Sequence, residues 1–275
     1  MDVVELIKKE GFRRGFSIRT INTYCFCVKR FFQKCPKEPR KITKKDIREY
    51  LDHLIQKGAC GNTLNVHLNS LKFMLQEILC KRVLLRIKYS KTPKEMPAVL
   101  TKEETLALIS SISNPTHKLM IELMYSAGLR LSELVKLNVK DFELSKNYGW
   151  VRKGKCNKDR LFIIAEGLKE KIKSHIKFNN LGYCSYLFPG RNSHIHQRTI
   201  QEIVKKASKK ADILKNVHPH TLRHSFATHL IEDGYDVASV QVLLGHVSAE
   251  TTMGYLHMAS PSMISVKSPF DSLNT

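Results

Sequence analysis

The sequence predicts a mainly α-helical protein of two domains, the second of which also contains one small antiparallel sheet. Apolar residues recur at helical spacing through the first 80 residues, with Lys and Arg on the opposite faces. Residues 87–98 then contain two prolines and three lysines, a composition typical of an extended linker. Helical patterns resume after it, so we expect a helical domain at 1–86 and a mixed, mostly helical domain at 99–275.

Two of the three helices predicted in the first domain have a local signal for their start. Ser17 is a favourable N-cap for the first, which Pro36 ends because proline cannot continue a helix. Thr43 and Asp46 open the second, and the third extends from about residue 63 to 79. The apolar stripes expected to face the core are Ile21, Tyr24, Val28 and Phe31; Ile47, Tyr50, Leu51 and Leu54; and Leu64, Leu68, Leu71, Leu75 and Ile78.

The second domain begins with helices, after which the spacing of its apolar residues changes from helical to strand-like. A capping box opens at Thr101, and an apolar helix over 117–127 stops at Gly128. Two short segments, 148–151 and 161–164, are strand candidates on either side of a basic turn. They predict one antiparallel hairpin, after which the pattern is helical again.

The charge of the chain is far from balanced. Lys and Arg number 46 against 25 Asp and Glu, which gives a net charge of +21 and a pI near 9.7. Such an excess favours a polyanionic partner, of which nucleic acid is the commonest. An anionic membrane surface is the competing partner, but the sequence offers no membrane span, signal peptide or lipidation motif for it. We therefore expect a soluble, cytoplasmic protein that binds no membrane.

Cysteine and histidine usage predicts no metal site. The seven cysteines are odd in number and form no Cys-x-x-Cys pair, which argues against a disulfide framework and a Cys-based zinc site. We expect reduced thiols. His194 and His196 invite comparison with a zinc site, but the sequence offers no nearby third ligand.

Four polar segments of the second domain carry residue types suited to chemistry. They are 125–134, which contains Arg130; 153–160, which contains Lys155; 218–230, which contains His220 and Arg223; and 243–257, which contains His246 and Tyr255. The order Arg, Lys, His-x-x-Arg, Gly-His and Tyr resembles the conserved motifs of the tyrosine recombinases, the Xer and phage-integrase group. The resemblance extends over nearly the whole chain. It implies a helical core-binding, SAM-like domain followed by a catalytic domain, and an enzyme for site-specific DNA recombination.

Phosphodiester chemistry explains the arginines. In-line attack on a phosphodiester adds negative charge to its non-bridging oxygens, and guanidinium groups can bind those oxygens in pairs while staying charged at any working pH. By resemblance these groups belong to Arg130 and Arg223, and His246 donates a hydrogen bond to a phosphate oxygen. Glu133, three residues after Arg130, either orients that guanidinium or pairs with another basic residue. His224 is expected to point away from His220.

The remaining predicted residues cleave the DNA strand and transfer the protons that cleavage requires. By resemblance Tyr255 is the nucleophile, which forms a covalent bond to the DNA phosphate. A phenol is mostly neutral at pH 7 and needs a base, which the resemblance identifies as His220. Lys155 on the hairpin is the general acid for the departing 5′ oxygen, with Lys158 as its substitute if the register differs. Rejoining reverses the reaction, so no ATP, metal or other cofactor is implied.

The resemblance also implies partners and leaves alternatives open. It implies double-stranded DNA with inverted half-sites and self-association into a tetramer, while the need for a partner recombinase or accessory protein stays open. So does the choice between chromosome dimer resolution and movement of a mobile element. The alternatives are a catalytically silent DNA-binding protein, a type IB topoisomerase-like enzyme that relaxes DNA, and an RNA-binding module, for which paired aromatics on a sheet are expected.

Two departures from the family pattern stand out. Cys156 occupies a hairpin position where the family usually has Gly. Prolines at 261 and 269 interrupt the tail after Tyr255, so a long C-terminal helix is not expected. The tail is similar to those of integron-integrase-like recombinases. As a hypothesis, it reaches a neighbouring subunit as a short apolar plug.

Overall fold

The structure is a computed structural model that describes residues 2–81, 90, 97–152, 159–191 and 193–245. The chain divides after residue 95 into two compact units, each of which is described by itself. Of the predicted linker, 87–98, only residues 90, 97 and 98 are among those described. The domain limits at 86 and 99 stay a prediction.

The first unit is built from helices alone, as far as its described residues go. They are α1 Val3–Arg13, α2 Ile18–Lys34, α3 Lys44–Gln56 and α4 Gly61–Phe73, with a 3-10 turn at Pro39–Lys41 and a π-helical turn at Met74–Ile78. The predicted cap at Ser17 is confirmed, because its Oγ accepts a hydrogen bond from the Thr20 N–H at 3.1 Å. The capping box of Thr43 and Asp46 is confirmed as well.

The core of the first unit contains aromatic rings packed edge to face. The rings of Phe31 and Tyr50 have centroids 5.1 Å apart, and the Tyr50 hydroxyl bonds Nδ1 of the buried His67 at 3.0 Å. The helix predicted over 63–79 differs in one respect: its last turn, Met74–Ile78, is π-helical. A π turn has a different hydrogen-bond spacing from an α-helix, which the apolar period alone does not reveal.

The second unit contains seven α-helices and three strands within its described residues, besides 3-10 turns at Val139–Asp141, Leu144–Lys146 and Glu166–Leu168. The helices are α5 Lys102–Ser110, α6 Pro115–Ser126, α7 Leu131–Leu134, α8 Lys169–Phe178, α9 Gln197–Lys210, α10 Pro219–Glu232 and α11 Val237–Leu244. The strands are β1 Phe142–Glu143, β2 Tyr148–Val151 and β3 Arg160–Ile163. The capping box at Thr101 is confirmed, and Gly128 follows the end of α6 with a φ of +55°.

The sheet is antiparallel with the strand order β1-β2-β3. The register pairs Tyr148 with Ile163 and Val151 with Arg160. The predicted strand 148–151 is confirmed, whereas the second strand begins one residue earlier than predicted, at Arg160. The sequence missed β1 because two residues are too few to show an alternating pattern.

Helix α6 lies at the centre of the second unit. It packs against α5, α7, α8, α9 and α10, and its residues Leu119–Met124 are all buried. Helix α10 packs in turn against α9 and α11, which brings the end of α6, the start of α10 and the end of α11 close together. Across the described ranges of both units, no helix is long and apolar enough to cross a membrane.

Candidate active site

Helix α10 begins with a residue order that explains where its polar side chains lie. His218 is the N-cap, and its Nδ1 accepts a hydrogen bond from the Thr221 N–H at 3.2 Å. Pro219 occupies the first turn, where a backbone N–H has no helical partner. His220 and Arg223 follow three residues apart and therefore share one face. His220 lies at the surface of the unit, whereas Arg223 is buried.

The guanidinium group of Arg223 joins three elements of the second unit. It donates one hydrogen bond to the carbonyl of Gly128 after α6, and another to the carbonyl of Leu244 at the end of α11. Its Nη1 also lies 3.9 Å from a carboxylate oxygen of Glu133. These partners fix the orientation of a side chain that is only 3% exposed.

Arg130 reaches the same carboxylate from the start of α7. Its backbone N–H donates to Oε2 of Glu133 at 2.9 Å, and its guanidinium group donates to Oε1 at 2.7 Å. The Arg130 side chain is 18% exposed, so it is more accessible to a ligand than Arg223. Glu133 thus brings together the two arginines that the sequence predicted.

Arg160 is the basic residue that the sequence analysis did not include in the site. It is the first residue of β3, and its Nη2 donates to Oε2 of Glu133 at 2.7 Å. Burial by itself would raise the pKa of Glu133, but the charge of Arg160 and hydrogen bonds from Arg160 and Arg130 outweigh it and lower that pKa to about 2. Glu133 is therefore ionised at neutral pH. Both roles left open for it, orienting Arg130 and pairing with another basic residue, are confirmed.

The histidines of α10 form a row beside the arginines. Desolvation at the helix start and the positive charges around it lower the pKa of His220 below its ordinary value of 6.5, so its ring is neutral at pH 7. The His224 ring centroid lies 6.4 Å from that of His220, and burial lowers the pKa of His224 to about 4. The expectation that His224 points away from His220 was wrong, because residues four apart are neighbours on a helix.

The other predicted site residues lie outside the described residues. Lys155, its substitute Lys158 and the departure at Cys156 fall in 153–158, between the ends of β2 and β3. His246 directly follows Gly245, the last residue described, and Tyr255 and the tail come after it. Within the ranges that the structure describes, no three His, Cys, Asp or Glu side chains are placed to hold a metal ion.

The arrangement is suited to binding an anion. Three guanidinium groups surround one carboxylate, so the cluster of Arg130, Glu133, Arg160 and Arg223 keeps an excess of positive charge. A neutral imidazole beside it can accept a proton. Such a cluster, in a chain with a strong excess of positive charge, is suited to the class of enzymes that act on the phosphodiesters of nucleic acid.

Comparison with known proteins places the chain within that class. Residues 84–261 match the sequence pattern of the phage integrase family, and residues 5–84 match that of the phage integrase N-terminal SAM-like domain. The first match alone spans more than half of the chain, so the chain belongs to the phage integrase family.

Relatives of known name agree. Tyrosine recombinase XerA of Pyrococcus horikoshii is 35% identical over 245 residues, which cover 88% of this chain and 84% of the relative. A tyrosine recombinase of Thermosipho africanus is 33% identical over 259 residues, covering 90% of this chain and 91% of the relative. The chain is therefore a tyrosine recombinase, an enzyme that breaks and rejoins DNA in site-specific recombination. The topoisomerase-like, catalytically silent and RNA-binding alternatives gain no support from these relatives.

Solved structures confirm the fold class. The crystal structure of a XerA recombinase is 29% identical, with a TM-score of 0.56 and coverage of 96% of this chain and 95% of that one. A structure of XerH bound to a palindromic difH substrate has a TM-score of 0.75 at 23% identity, covering 94% and 82%. The predicted two-domain, mainly helical architecture is thus that of known site-specific recombinases.

Proposed function

We propose that this recombinase cleaves DNA by attack of Tyr255 on a phosphodiester, which forms a 3′-phosphotyrosine and releases a 5′-hydroxyl. The Oη–P bond forms as the P–O5′ bond breaks. The phenolic proton passes to His220, and Lys155 gives a proton to the departing 5′ oxygen. Rejoining is the reverse reaction. The energy of the phosphodiester is kept in the covalent intermediate, so no nucleotide is consumed.

Arg130 and Arg223 bind the non-bridging oxygens of the scissile phosphate in this proposal, and His246 donates a further hydrogen bond to it. The observation that carries the proposal is the shared carboxylate of Glu133, which holds two arginines from distant parts of the sequence beside a neutral His220. Preorganised donors of this kind stabilise the charge that develops on the phosphate, each by about 3–4 kcal/mol.

The DNA partner and the assembly are also part of the proposal. XerH was solved on a palindromic substrate, and a lambda integrase was solved as a dimer on a core site. By analogy we infer that this chain binds inverted half-sites on double-stranded DNA, assembles as a tetramer there, and acts in the cytoplasm. The tail after Tyr255 is the segment proposed to reach a neighbouring subunit. Truncation after Ser260 tests this, since unchanged tetramer assembly on DNA would remove that role from the tail.

Covalent trapping tests the proposed nucleophile. The protein is mixed with a library of nicked DNA fragments in EDTA without nucleotide, quenched in detergent, and the covalently attached DNA is sequenced. We expect an adduct with the wild type, none with Tyr255→Phe, and undiminished adduct with the matched control Tyr183→Phe, whose ring is 74% exposed. An adduct that survives in Tyr255→Phe would show that another residue is the nucleophile.

A further inference from the structure

Arg160 is a buried cation that the proposed mechanism does not use. Its side chain is 9% exposed, although it starts a strand at the edge of a basic hairpin. Its Nη2 donates to Glu133, and its Nη1 donates to the carbonyl of Leu243 at 2.5 Å and of Leu161 at 3.2 Å. One side chain thus connects β3, the buried carboxylate of the arginine cluster and the last turn of α11.

The end of α11 is shaped to admit this side chain. Gly245 has a φ of +60°, and a Cβ atom there would lie 2.7 Å from Cδ of Arg160. Only a residue without a side chain lets the backbone approach Arg160 so closely. The Nε of Arg160 is buried and has no hydrogen-bond partner among the residues described. An unpaired buried donor is costly, so stability alone does not explain an arginine at this position.

Both ends of this connection lie close in sequence to proposed catalytic residues. Lys155 lies in the segment that enters β3 at Arg160, and His246 directly follows Gly245. From Arg160 the chain therefore leads back to the proposed general acid, and from Gly245 it leads on to His246. A displacement of about 1 Å in such a group can cost about 100-fold in rate.

We infer that Arg160 is a positioning residue that fixes the base of the hairpin against Glu133 and the end of α11, and so sets the position of Lys155 at the scissile phosphate. The inference rests on the proposed function, because it assumes that Lys155 protonates the leaving oxygen. It predicts that the planar fork of arginine is required as well as its charge. A lysine can pair with Glu133 but cannot also donate to Leu243 and Leu161 with the same geometry.

The test compares wild type with Arg160→Lys on the site recovered by trapping, in a substrate nicked so that cleavage is irreversible. Single-turnover cleavage rates and DNA affinity are measured on two substrates, one ordinary and one with sulfur replacing the bridging 5′ oxygen. A thiolate leaves without a proton at neutral pH, so the sulfur substrate does not need the general acid. We expect Arg160→Lys to slow ordinary cleavage about 10- to 100-fold, with DNA affinity unchanged and the sulfur substrate slowed less than about threefold.

Lys171→Gln is the control for removing a cationic partner from a buried carboxylate elsewhere in the second unit. Lys171 bonds the buried carboxylate of Glu122 at 2.7 Å, between α8 and α6. Its removal should lower thermal stability but leave cleavage of both substrates at the wild-type rate. Loss of adduct yield at an unchanged rate in Arg160→Lys would mean that Arg160 only stabilises the fold.

Equal slowing on the two substrates would also overturn the inference, because it would place the effect of Arg160 on the phosphate contacts and not on the general acid. Failure of the proposed function has a different signature. In that case the wild type itself yields no adduct that depends on Tyr255, or Lys155→Ala is slowed equally on both substrates.

Discussion

Glu133 is the residue on which the arginine cluster depends. It accepts hydrogen bonds from Arg130 and Arg160 and lies 3.9 Å from Arg223, and it is only 5% exposed. Removal of one partner from a buried ion pair leaves the others without compensation. We expect Glu133→Gln to lower the free energy of unfolding by about 3 kcal/mol at pH 7, as measured by denaturant titration. Glu166→Gln provides the control, because the Glu166 side chain, which pairs with Lys169, is 74% exposed and its change should affect stability little.

The pH dependence of stability gives a second test of Glu133. Its folded-state pKa of about 2 is below the ordinary value of 4.5. Its contribution to stability is therefore fully present above pH 4.5 and is lost as the pH falls from 4.5 toward 2. The difference in unfolding free energy between wild type and Glu133→Gln should shrink over that interval. If the difference in unfolding free energy between the two proteins stays constant down to a pH of about 2, Glu133 is not ionised in the folded protein.

His220 should set the acid limit of cleavage. Its pKa is lowered from 6.5 in the free protein, so the neutral ring that accepts the tyrosine proton persists below that pH. When the protein concentration is kept below the dissociation constant for DNA, the pH dependence of the second-order rate constant for cleavage reports the pKa values of groups in the free enzyme. We expect its acid limb to lie below pH 6.5 and to disappear in His220→Gln. An acid limb above 6.5, or one unchanged in the variant, would assign the limb to another group.

The sequence predicted some site residues and missed others for a physical reason. Arg130, His220 and Arg223 occur in motifs whose residue types and spacing indicate phosphodiester chemistry. The structure places both arginines at the carboxylate of Glu133, and their charges act on His220. Arg160 has no such local signal. Its importance comes from a hydrogen bond to the distant carbonyl of Leu243, and backbone carbonyls have no signature in a sequence.

At the scale of elements, local signals in the sequence predicted where helices begin and end, but not which elements contact one another. Ser17, Thr43 and Thr101 cap the helices that the sequence assigned to them, because capping depends on residues within one turn. Gly128 was predicted as a helix stop. The sequence did not show that its carbonyl accepts a hydrogen bond from Arg223, or that α10 packs closely against it.

The junction between α6 and α10 should tolerate no side chain at Gly128. A Cβ atom there would lie 2.5 Å from Cδ1 of Phe226, and the φ of +55° is unfavourable for alanine. We expect Gly128→Ala to lower the free energy of unfolding by about 2–4 kcal/mol and to slow cleavage, since it displaces the carbonyl that holds Arg223. Unfolding and single-turnover cleavage measure the two effects.

Gly58→Ala separates strain from crowding at this junction. Gly58 also has a positive φ, +77°, but a Cβ atom there would meet nothing within 4 Å. Gly58→Ala should lower the free energy of unfolding only by the conformational cost, about 1–2 kcal/mol, and should cleave at the wild-type rate. If Gly128→Ala and Gly58→Ala lower the free energy of unfolding equally, crowding of the added methyl group against Phe226 contributes nothing to the loss of stability.

At the scale of the whole molecule, positive charge greatly exceeds what internal ion pairs can neutralise. The chain has 46 Lys and Arg against 25 Asp and Glu. Several of the acidic residues are already paired within a unit, as Asp46 is with Lys37 and Glu104 is with Lys215. The net excess of positive charge favours contact with phosphates, and DNA relieves the repulsion among basic side chains. Net charge therefore favoured a polyanionic partner without any knowledge of the fold, and the motifs then indicated DNA.

This excess predicts that DNA binding depends steeply on salt. Each phosphate neutralised by Lys or Arg releases condensed counterions, so the logarithm of affinity falls linearly with the logarithm of salt concentration. If roughly 6–10 phosphates are contacted per protomer, affinity should fall about 10³- to 10⁵-fold between about 50 and 200 mM salt. Fluorescence anisotropy on the trapped site and on unrelated DNA measures both slopes, which should be similar because phosphate contacts do not depend on sequence. A loss of less than about tenfold over that range would mean that few basic residues reach the backbone. In that case the net charge of +21 serves something other than DNA affinity.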